Sequence, residues 1–270
     1  MCYHFSTNLQ TFLELAEGRM KKGFGAVLLL EGPPGSGKTS FAKALAAHLR
    51  GNCHYYSGSP DKERDLFYEI DVKGVLRREE AWLPGAAWRA FAESKEGRYS
   101  VLLIDEVDKT NAGFDAFLLR LLEDWTFQSP EGEITADPTK IAVVITSNGR
   151  RTLRPEVLRR CQRVPVPFPE DGRLQKIIRE VAGLPIPDGL LELVVRIGKK
   201  VRESDAEEAP SPKEMALCCV DLLALAGEEP DGEIIREVAA SWLVKSGGAM
   251  RLDKATGFKW ARALMQEAKK

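Results

Sequence analysis

One glycine-rich stretch limits the possible folds of this chain more than any other feature of its sequence. It reads Gly32-Pro-Pro-Gly-Ser-Gly-Lys38-Thr39 and follows the apolar run at residues 26–30. Residues 41–49 carry apolar side chains at helical spacing, so the pattern predicts a buried strand, a tight turn and a helix. In that arrangement the backbone N–H groups of the turn and the start of the helix favour a bound anion.

Each fixed position of this G-x-x-x-x-G-K-[ST] pattern has a physical task in binding a nucleoside triphosphate. Gly35 and Gly37 let backbone N–H groups turn toward phosphate. The Lys38 ammonium reaches the β- and γ-phosphates, and the Thr39 hydroxyl ligates Mg²⁺. The predicted nucleotide-binding residues are Gly32, Pro33, Pro34, Gly35, Ser36, Gly37, Lys38, Thr39 and Ser40. The chain has no Asn-Lys-x-Asp sequence, the motif that reads guanine, so ATP is preferred to GTP.

Two acidic residues, Asp105 and Glu106, follow a second apolar run at residues 101–104. An aspartate at the carboxyl end of a buried strand can hold Mg²⁺ through water, and the adjacent glutamate can accept a proton from an attacking water. Both carboxylates could instead cap a helix, but beside a phosphate-binding loop the catalytic reading is favoured. The pair predicts a hydrolase rather than a kinase. Lys38 and Asp105 are far apart in sequence, and we expect another strand to separate theirs in the sheet.

A third apolar run, residues 141–146, leads to Asn148. At the end of that strand Asn148 is placed to orient the lytic water or to contact the γ-phosphate. An asparagine before Gly149 is also an ordinary turn residue, and only the phosphate-binding loop favours the catalytic role.

Short β-branched runs that alternate with helical periods predict an α/β fold, a three-layer αβα core of the P-loop NTPase type with a parallel sheet. Prolines at residues 164–169 interrupt regular structure. We therefore expect an ATPase core at residues 1–170 and a small all-α lid domain at residues 171–270. The predicted helices are residues 114–125 in the core and 173–182, 189–201, 213–225, 233–245 and 258–269 in the lid.

Composition excludes several classes of protein. The 39 basic and 40 acidic residues leave a net charge of −1, which argues against a protein that coats nucleic acid through bulk charge. No apolar run approaches the roughly 20 residues that span a bilayer, and no secretory signal is evident, so we expect a cytoplasmic protein without membrane contact. Five cysteines without C-x-x-C spacing argue against disulfides and a zinc site.

Arginines are dense in the segment at residues 149–163. Three interpretations are open: a solvated helix face, a patch that binds RNA or DNA, or contacts in trans to the nucleotide of a neighbouring subunit. An arginine suits the last task because its planar fork spreads over phosphoryl oxygens.

The phosphate-binding loop, Asp105-Glu106, Asn148 and Leu158-Arg-Arg-Cys161, in this order and followed by a helical lid, resemble the AAA+ ATPases, most closely the MoxR branch. The similarity covers about residues 20 to 225. The stretches of closer similarity to the branch are residues 65–71, 84–88, 104–109 and 211–213.

The resemblance implies roles for further residues. Asn148 would be sensor 1, and Arg160 would be the arginine finger presented to the next subunit, with Arg159 as the alternative. Lys213 would fill the sensor 2 position on the lid, where the family usually has arginine. Lysine offers a single point charge instead of a fork.

The MoxR branch also carries an insert and a β-hairpin before sensor 1. The candidates here are residues 61–80 and residues 125–135, where alternating residues flank a Pro-Glu-Gly turn. The aromatic residues Phe67, Tyr68, Trp82 and Trp88 could line a pore, but core packing is favoured. His48 and His54 are interpreted as structural or surface residues rather than metal ligands.

The leading hypothesis is an ATPase that uses ATP and Mg²⁺, forms a ring, expected to be a hexamer, and remodels or activates a partner protein. A partner with a von Willebrand factor A domain is implied by the resemblance alone. The alternative is a nucleic-acid-dependent ATPase, such as a clamp-loader-like or defence-associated motor. A switch that holds ATP without hydrolysis is disfavoured by Glu106.

Overall fold

The computed structural model describes residues 7–60, 62–71, 82–204, 209–226, 232–245 and 252. Contacts divide these residues into two compact units. The first joins the described residues up to Gly32 with Gly37–Val166, and the second joins Pro33–Ser36 with the described residues from Pro167 onward. The domain limits 1–170 and 171–270 remain a prediction.

A parallel sheet forms the centre of the first unit. The described strands are β1 (Ala26–Glu31), β2 (Asn52–Ser57), β3 (Tyr68–Ile70), β4 (Trp82–Pro84), β5 (Ser100–Asp105), β6 (Thr126–Ser129), β7 (Gly132–Thr135), β8 (Ile141–Ser147) and β9 (Gln162–Pro165). The five-stranded sheet has the order β2-β5-β8-β1-β9, and every neighbouring pair in it is parallel. As predicted, another strand separates the one before the glycine loop from the one that ends at Asp105.

Helices cover both faces of this sheet. The described helices of the first unit are α1 (Thr7–Lys21), α2 (Lys38–Leu49), α3 (Ala86–Lys95), α4 (Phe114–Glu123) and α5 (Pro155–Arg160). Alternate residues of β1 enter opposite cores: Leu28 packs with Phe41 of α2, and Leu29 packs with Phe91 of α3. This period of two is what a strand buried on both faces requires. The predicted three-layer αβα fold is confirmed.

The predicted helix at residues 114–125 is two residues too long, because α4 ends at Glu123. Trp125 has a φ of 54°, in the left-handed region, and leads into the β6–β7 hairpin. Its ring lies beside Gly25, where an added Cβ would be 2.3 Å from Trp125 Cζ2. The left-handed conformation of Trp125 thus lies just beyond the helix end, and its indole packs against a residue without a side chain. The hairpin predicted within residues 125–135 is confirmed.

A second antiparallel ribbon pairs β3 with β4. Part of the predicted insert, residue 61 and residues 72–80, lies outside the described residues. Phe67 is buried and its ring centroid lies 4.9 Å from that of Phe127, while Tyr68 packs edge-on against Trp82 at 5.4 Å. Trp88 is partly buried against the same core. These contacts agree with the packing interpretation of the aromatic residues.

The second unit is helical in its described residues. Its helices are α6 (Asp171–Ala182), α7 (Asp188–Ser204), α8 (Pro212–Ala226) and α9 (Gly232–Leu243). They match four of the predicted lid helices, and the fifth, residues 258–269, lies outside the described residues. Leu174, Leu191 and Leu222 pack in one core with Cys218 and Cys219. Within the described ranges, none of the helices has the length and apolar character needed to cross a membrane.

Candidate nucleotide-binding site

The carboxyl ends of the parallel strands bring the predicted site residues of the first unit to one edge of the sheet. Glu31 of β1 is in register with Ser147 of β8, and Ser57 of β2 is in register with Asp105 of β5. The glycine loop leaves β1 at this edge, and α2 begins at Lys38. Open α/β sheets bind ligands at this edge.

The glycine loop has the predicted strand–turn–helix conformation. Gly35 and Gly37 have φ values of 76° and 97°, which few residues other than glycine adopt. Gly37 is the N-cap of α2, so the first N–H groups of that helix are directed out of its end. Such groups favour a phosphate at that place.

Lys38 is the cation of this loop. Its side chain is only 7% exposed, and its Nζ donates a hydrogen bond of 2.7 Å to the carbonyl oxygen of Gly32. Burial lowers the pKa of Lys38 to about 8, although the nearby carboxylates of Asp105, Asp108 and Glu106 act in the opposite direction. An anionic phosphate beside Lys38 would favour its charged form.

The Thr39 hydroxyl and the Asp105 carboxylate form a pair of oxygen groups that can ligate a metal ion. Thr39 Oγ1 lies 3.1 Å from both Oδ1 and Oδ2 of Asp105. A hydroxyl and a carboxylate are hard donors that suit Mg²⁺, which usually takes one or two carboxylates, several waters and phosphate oxygens rather than an all-protein cage. The two residues therefore fit the predicted Mg²⁺ site.

Glu106 occupies an unusual backbone conformation for a residue with a side chain. Its φ is 53°, in the left-handed region, which is strained for glutamate. Its Oε2 accepts a hydrogen bond of 2.5 Å from Lys109 Nζ, and its Oε1 lies 3.5 Å from Nδ2 of Asn148. The predicted base and the predicted sensor thus lie in contact.

Thr146, a residue that the sequence analysis missed, connects the two acidic residues. Its hydroxyl donates to Asp105 Oδ1 at 2.5 Å and accepts from the backbone N–H of Glu106 at 2.8 Å. Thr146 is fully buried in β8. A hydroxyl directly after the apolar run of β8 was the only sequence signal for it.

Gly58 was missed as well. Its N–H donates to the carbonyl oxygen of Asp105 at 2.7 Å. A Cβ at this position would lie 2.4 Å from the carbonyl oxygen of Glu106. Only glycine allows this close approach of the two backbones.

The arginine segment does not form one cationic patch. Three of its arginines pair with acidic residues of the same unit: Arg151 with Asp115, Arg160 with Glu123 and Arg163 with Glu31. The other three, Arg150, Arg154 and Arg159, are exposed.

Arg159 and Arg160, the two candidates for the finger, lie at the end of α5. Arg160 also donates to the carbonyl oxygen of Glu156 at 2.8 Å, so its guanidinium is held within the unit by two contacts. Arg159 presents the more exposed side chain. The choice of Arg160, with Arg159 as the alternative, remains a prediction.

Lys213, the predicted sensor 2 residue, lies in the second unit. It is exposed in the first turn of α8, just after Ser211 and Pro212. Ser211 Oγ accepts from the N–H of Glu214, and the Glu214 carboxylate accepts from the N–H of Ser211, a reciprocal capping box that fixes the start of this helix. In the same unit, a Cβ on Gly35 would lie 2.9 Å from Cα of Ser211.

The two histidines that the structure describes pair with glutamates. His48 Nε2 lies 2.9 Å from Glu17, and His54 Nε2 lies 2.9 Å from Glu93. Both contacts agree with a structural role for these side chains.

Residues 27–161, half of the chain, match the protein family described as AAA domain (dynein-related subfamily). The Lon protease of Salinispora arenicola is 31% identical over 207 residues, which are 69% of this chain and 26% of that protein. The mitochondrial Lon protease homolog of Yarrowia lipolytica is 34% identical over 148 residues, 52% of this chain and 12% of that protein. The chain therefore spans about an eighth to a quarter of the length of these relatives.

Among solved structures, a mutant of RuvB from Thermotoga maritima is similar to this chain. It has a TM-score of 0.46 and 20% sequence identity, and the alignment covers 97% of this chain and 87% of that one.

Proposed function

Because the chain belongs to the AAA+ ATPases, through an AAA domain of the dynein-related subfamily, we propose that it hydrolyses ATP with Mg²⁺ and uses the energy to remodel or activate a partner protein. The observation that carries the hydrolase proposal is the contact of Glu106 with Asn148 beside the Thr39–Asp105 pair. A base, a polar water-orienting group and a metal-ligand pair at one strand edge are the parts that phosphoryl transfer to water needs.

In the proposed reaction the loop from Gly32 to Ser40 holds the phosphates through its backbone N–H groups. Lys38 lies close to the β- and γ-phosphates and compensates their charge. Thr39 and Asp105 would hold Mg²⁺, which supplies further compensation of the charge that develops on the phosphoryl oxygens.

Asn148 orients a water for attack on the γ-phosphorus, and Glu106 takes a proton from that water. The bond between the γ-phosphorus and the oxygen that bridges to the β-phosphate breaks, which gives ADP and inorganic phosphate.

The Glu106→Gln variant tests this proposal. It should bind ATP as the unchanged protein does and hydrolyse it about 10²–10⁴-fold more slowly, because it keeps the shape of the side chain and lacks the base. Glu131→Gln, at an exposed position in the turn between β6 and β7, is the matched control. An unchanged rate in Glu106→Gln would show that another group is the base.

We further propose a ring, expected to be a hexamer, of the MoxR type. The support is the sequence resemblance together with the exposed Arg159 and its neighbour Arg160 at the end of α5. A trans-acting arginine makes turnover depend on assembly. ATPase activity per subunit should therefore fall on dilution to a monomer, with the mass followed by light scattering. Constant activity in the monomer would overturn the ring.

The partner is proposed to be a protein, of which one with a von Willebrand factor A domain is the first candidate, in the cytoplasm. The Glu106→Gln variant with ATP should retain such a partner on affinity capture, because a ring that binds ATP without hydrolysing it does not complete its cycle.

Lys213 is proposed to couple the lid to the γ-phosphate. Lys213→Ala should then weaken the effect of ATP on partner capture.

The exposed residues Arg150, Arg154 and Arg159 also support an alternative, a nucleic-acid-dependent ATPase. Phosphate contacts release counterions, so such binding weakens steeply with salt. Addition of DNA or RNA at low salt should then stimulate hydrolysis, and a variant that combines Arg150→Ala with Arg154→Ala should lose the stimulation. The absence of stimulation would exclude this alternative.

A further inference from the structure

Two side chains connect the loop after β5 with the loop after β8 through hydrogen bonds. Asp108, in the first loop, accepts hydrogen bonds from the backbone N–H groups of Asn148 and Arg150 at 3.2 and 3.1 Å. Arg151, in the second loop, donates in the opposite direction: its Nε lies 2.8 Å from the carbonyl oxygen of Thr110, and its Nη2 lies 2.8 Å from Thr110 Oγ1. Each loop thus holds the backbone of the other.

A buried carboxylate fixes Arg151 in this position. Asp115 is fully buried, and its Oδ1 and Oδ2 lie 2.7 and 3.1 Å from Nη2 and Nη1 of Arg151. This two-bond pairing matches the planar fork of arginine to the carboxylate, so it sets an orientation as well as a distance. Lysine has no such fork.

The same carboxylate reaches the helix that carries the two candidate finger residues. Asp115 Oδ2 accepts from the backbone N–H of Arg154 at 2.8 Å, and Arg154 is the N-cap residue of α5. The start of α5 and the loop of Asn148 are therefore attached to one buried group at the start of α4.

We propose that Asp108 and Arg151 are positioning residues, which hold Asn148 at the distance from Glu106 that hydrolysis requires. The inference rests on the proposed ATPase function. The Nδ2 of Asn148 lies 3.5 Å from Oε1 of Glu106, at the limit of a hydrogen bond, so a small displacement of either loop separates them. Misplacement of a reacting group by about 1 Å can lower a rate by about 10²-fold.

The decisive variant is Arg151→Lys, which keeps the positive charge and loses the fork. We expect kcat to fall by roughly 10- to 100-fold, while the Kd of a non-hydrolysable ATP analogue changes by less than about threefold. Arg120→Lys is the matched control, since Arg120 pairs with Glu133 at an exposed position of the same unit. It should leave both constants unchanged.

A double-mutant cycle with Asn148→Ala separates positioning from a purely structural role. If Arg151 acts through Asn148, Arg151→Lys should lower kcat by less than about twofold when Asn148 is already alanine. An equal loss in both backgrounds would overturn the proposal. If Arg151→Lys fails to fold, Asp108→Asn, which keeps the size and one acceptor oxygen, is tested in the same cycle with the same expected result.

Glu106→Gln in the same assay distinguishes this proposal from the proposed function. If Glu106→Gln abolishes hydrolysis and Arg151→Lys does not reduce it, positioning by Arg151 is wrong and the ATPase function stands. If the unchanged protein shows no hydrolysis, or Glu106→Gln has no effect on it, the proposed function fails and the positioning role fails with it.

Discussion

The Thr39 hydroxyl lies 3.1 Å from both carboxylate oxygens of Asp105, although the two residues are 66 positions apart in the sequence. Thr39 lies in the first turn of α2, and Asp105 ends β5. Because β8 lies between β1 and β5, the loop after β1 must pass over the end of β8 to bring these residues together. The order of the strands in the sheet therefore brings the two residues into contact. Both side chains belong to one proposed metal site.

Loss of either oxygen donor should weaken the effect of Mg²⁺ on ATP binding. We expect Thr39→Ala and Asp105→Asn to bind a fluorescent ATP analogue as the unchanged protein does in EDTA. In Mg²⁺ their affinity should be lower than that of the unchanged protein by about tenfold or more. Thr39→Ser keeps the hydroxyl and is the control. Full enhancement by Mg²⁺ in Thr39→Ala would contradict the metal role.

The pKa of Lys38, which burial lowers to about 8, predicts the pH dependence of ATP capture. Below pH 8 the ammonium is charged and binds phosphate; above pH 8 it loses its proton, so kcat/KM should fall as pH rises through about 8. Bound phosphate favours the charged form, so kcat should fall only at higher pH. Steady-state kinetics from about pH 6 to 10 check whether kcat/KM declines at a lower pH than kcat does.

Lys95→Met, which removes an exposed lysine at the end of α3, should leave that pH profile unchanged. Lys38→Met should lower kcat/KM over the whole range and remove its decline above about pH 8. A kcat/KM that stays constant up to about pH 10 in the unchanged protein would show that the charge of Lys38 does not govern ATP capture.

The Asp115–Arg151 pair should make a large contribution to stability. Removal of one partner from a buried ion pair leaves an unpaired charge, which typically costs about 3–5 kcal/mol. We expect Arg151→Ala, which leaves the fully buried Asp115 carboxylate without its ion partner, to lower the free energy of unfolding by that amount, measured by urea denaturation. Glu133→Ala, which breaks an exposed pair with Arg120, should change it by less than about 1 kcal/mol. Similar small effects of both variants would contradict the burial argument.

Gly58→Ala should impair hydrolysis without preventing ATP binding. The added methyl group would lie 2.4 Å from the carbonyl oxygen of Glu106, so the backbone of Glu106 must move. We expect kcat to fall by about 10- to 100-fold and the affinity for ATP to change little. Gly18→Ala is the control: Gly18 lies in α1 with open space around it, and alanine there should stabilise the helix by about 1 kcal/mol. Unchanged turnover in Gly58→Ala would show that the backbone position of Glu106 is not critical.

Much of the fold could be predicted from the sequence because its signals are local. The unbroken apolar run of β1 and the helical spacing after Lys38 are properties of short segments. The loop residues and Asp105 follow a fixed pattern at the end of a strand, so they too could be found. Helix α4 shows the limit of local signals, since Trp125 fits the apolar spacing of the helix and yet takes a left-handed conformation, with its ring beside the distant Gly25.

The residues that arrange the site could not be found in this way. Thr146 contacts Asp105 across 41 positions, and Asp108 contacts the backbone of Asn148 across 40. Nothing in the local sequence separates Arg151, which meets a buried carboxylate, from its neighbour Arg150, which is exposed. Strand order decides these contacts, and the predicted arginine segment therefore divides into structural and exposed residues.

A mixing experiment can decide between Arg159 and Arg160 as the trans-acting residue. Loss of an arginine finger lowers turnover by about 10³–10⁵-fold in well-studied phosphoryl-transfer enzymes. We expect Arg160→Ala to lose turnover and keep ATP binding. If only Arg160 reaches the nucleotide of the neighbouring subunit, Arg159→Ala should keep the turnover that Arg160→Ala loses. Glu123→Gln, which removes the charge of the Arg160 partner within the unit, should retain activity because it leaves Arg160 available.

Addition of Glu106→Gln subunits, which are themselves inactive, should then partly restore the Arg160→Ala protein. A mixed ring contains sites in which an intact Glu106 faces an intact Arg160 from the neighbouring subunit. Recovery of activity on mixing requires that the two residues act in one site across a subunit boundary, since neither protein can hydrolyse ATP alone. If mixing restores Arg159→Ala and not Arg160→Ala, the finger is Arg159. If it restores neither, the arginines do not act in trans and the ring mechanism fails.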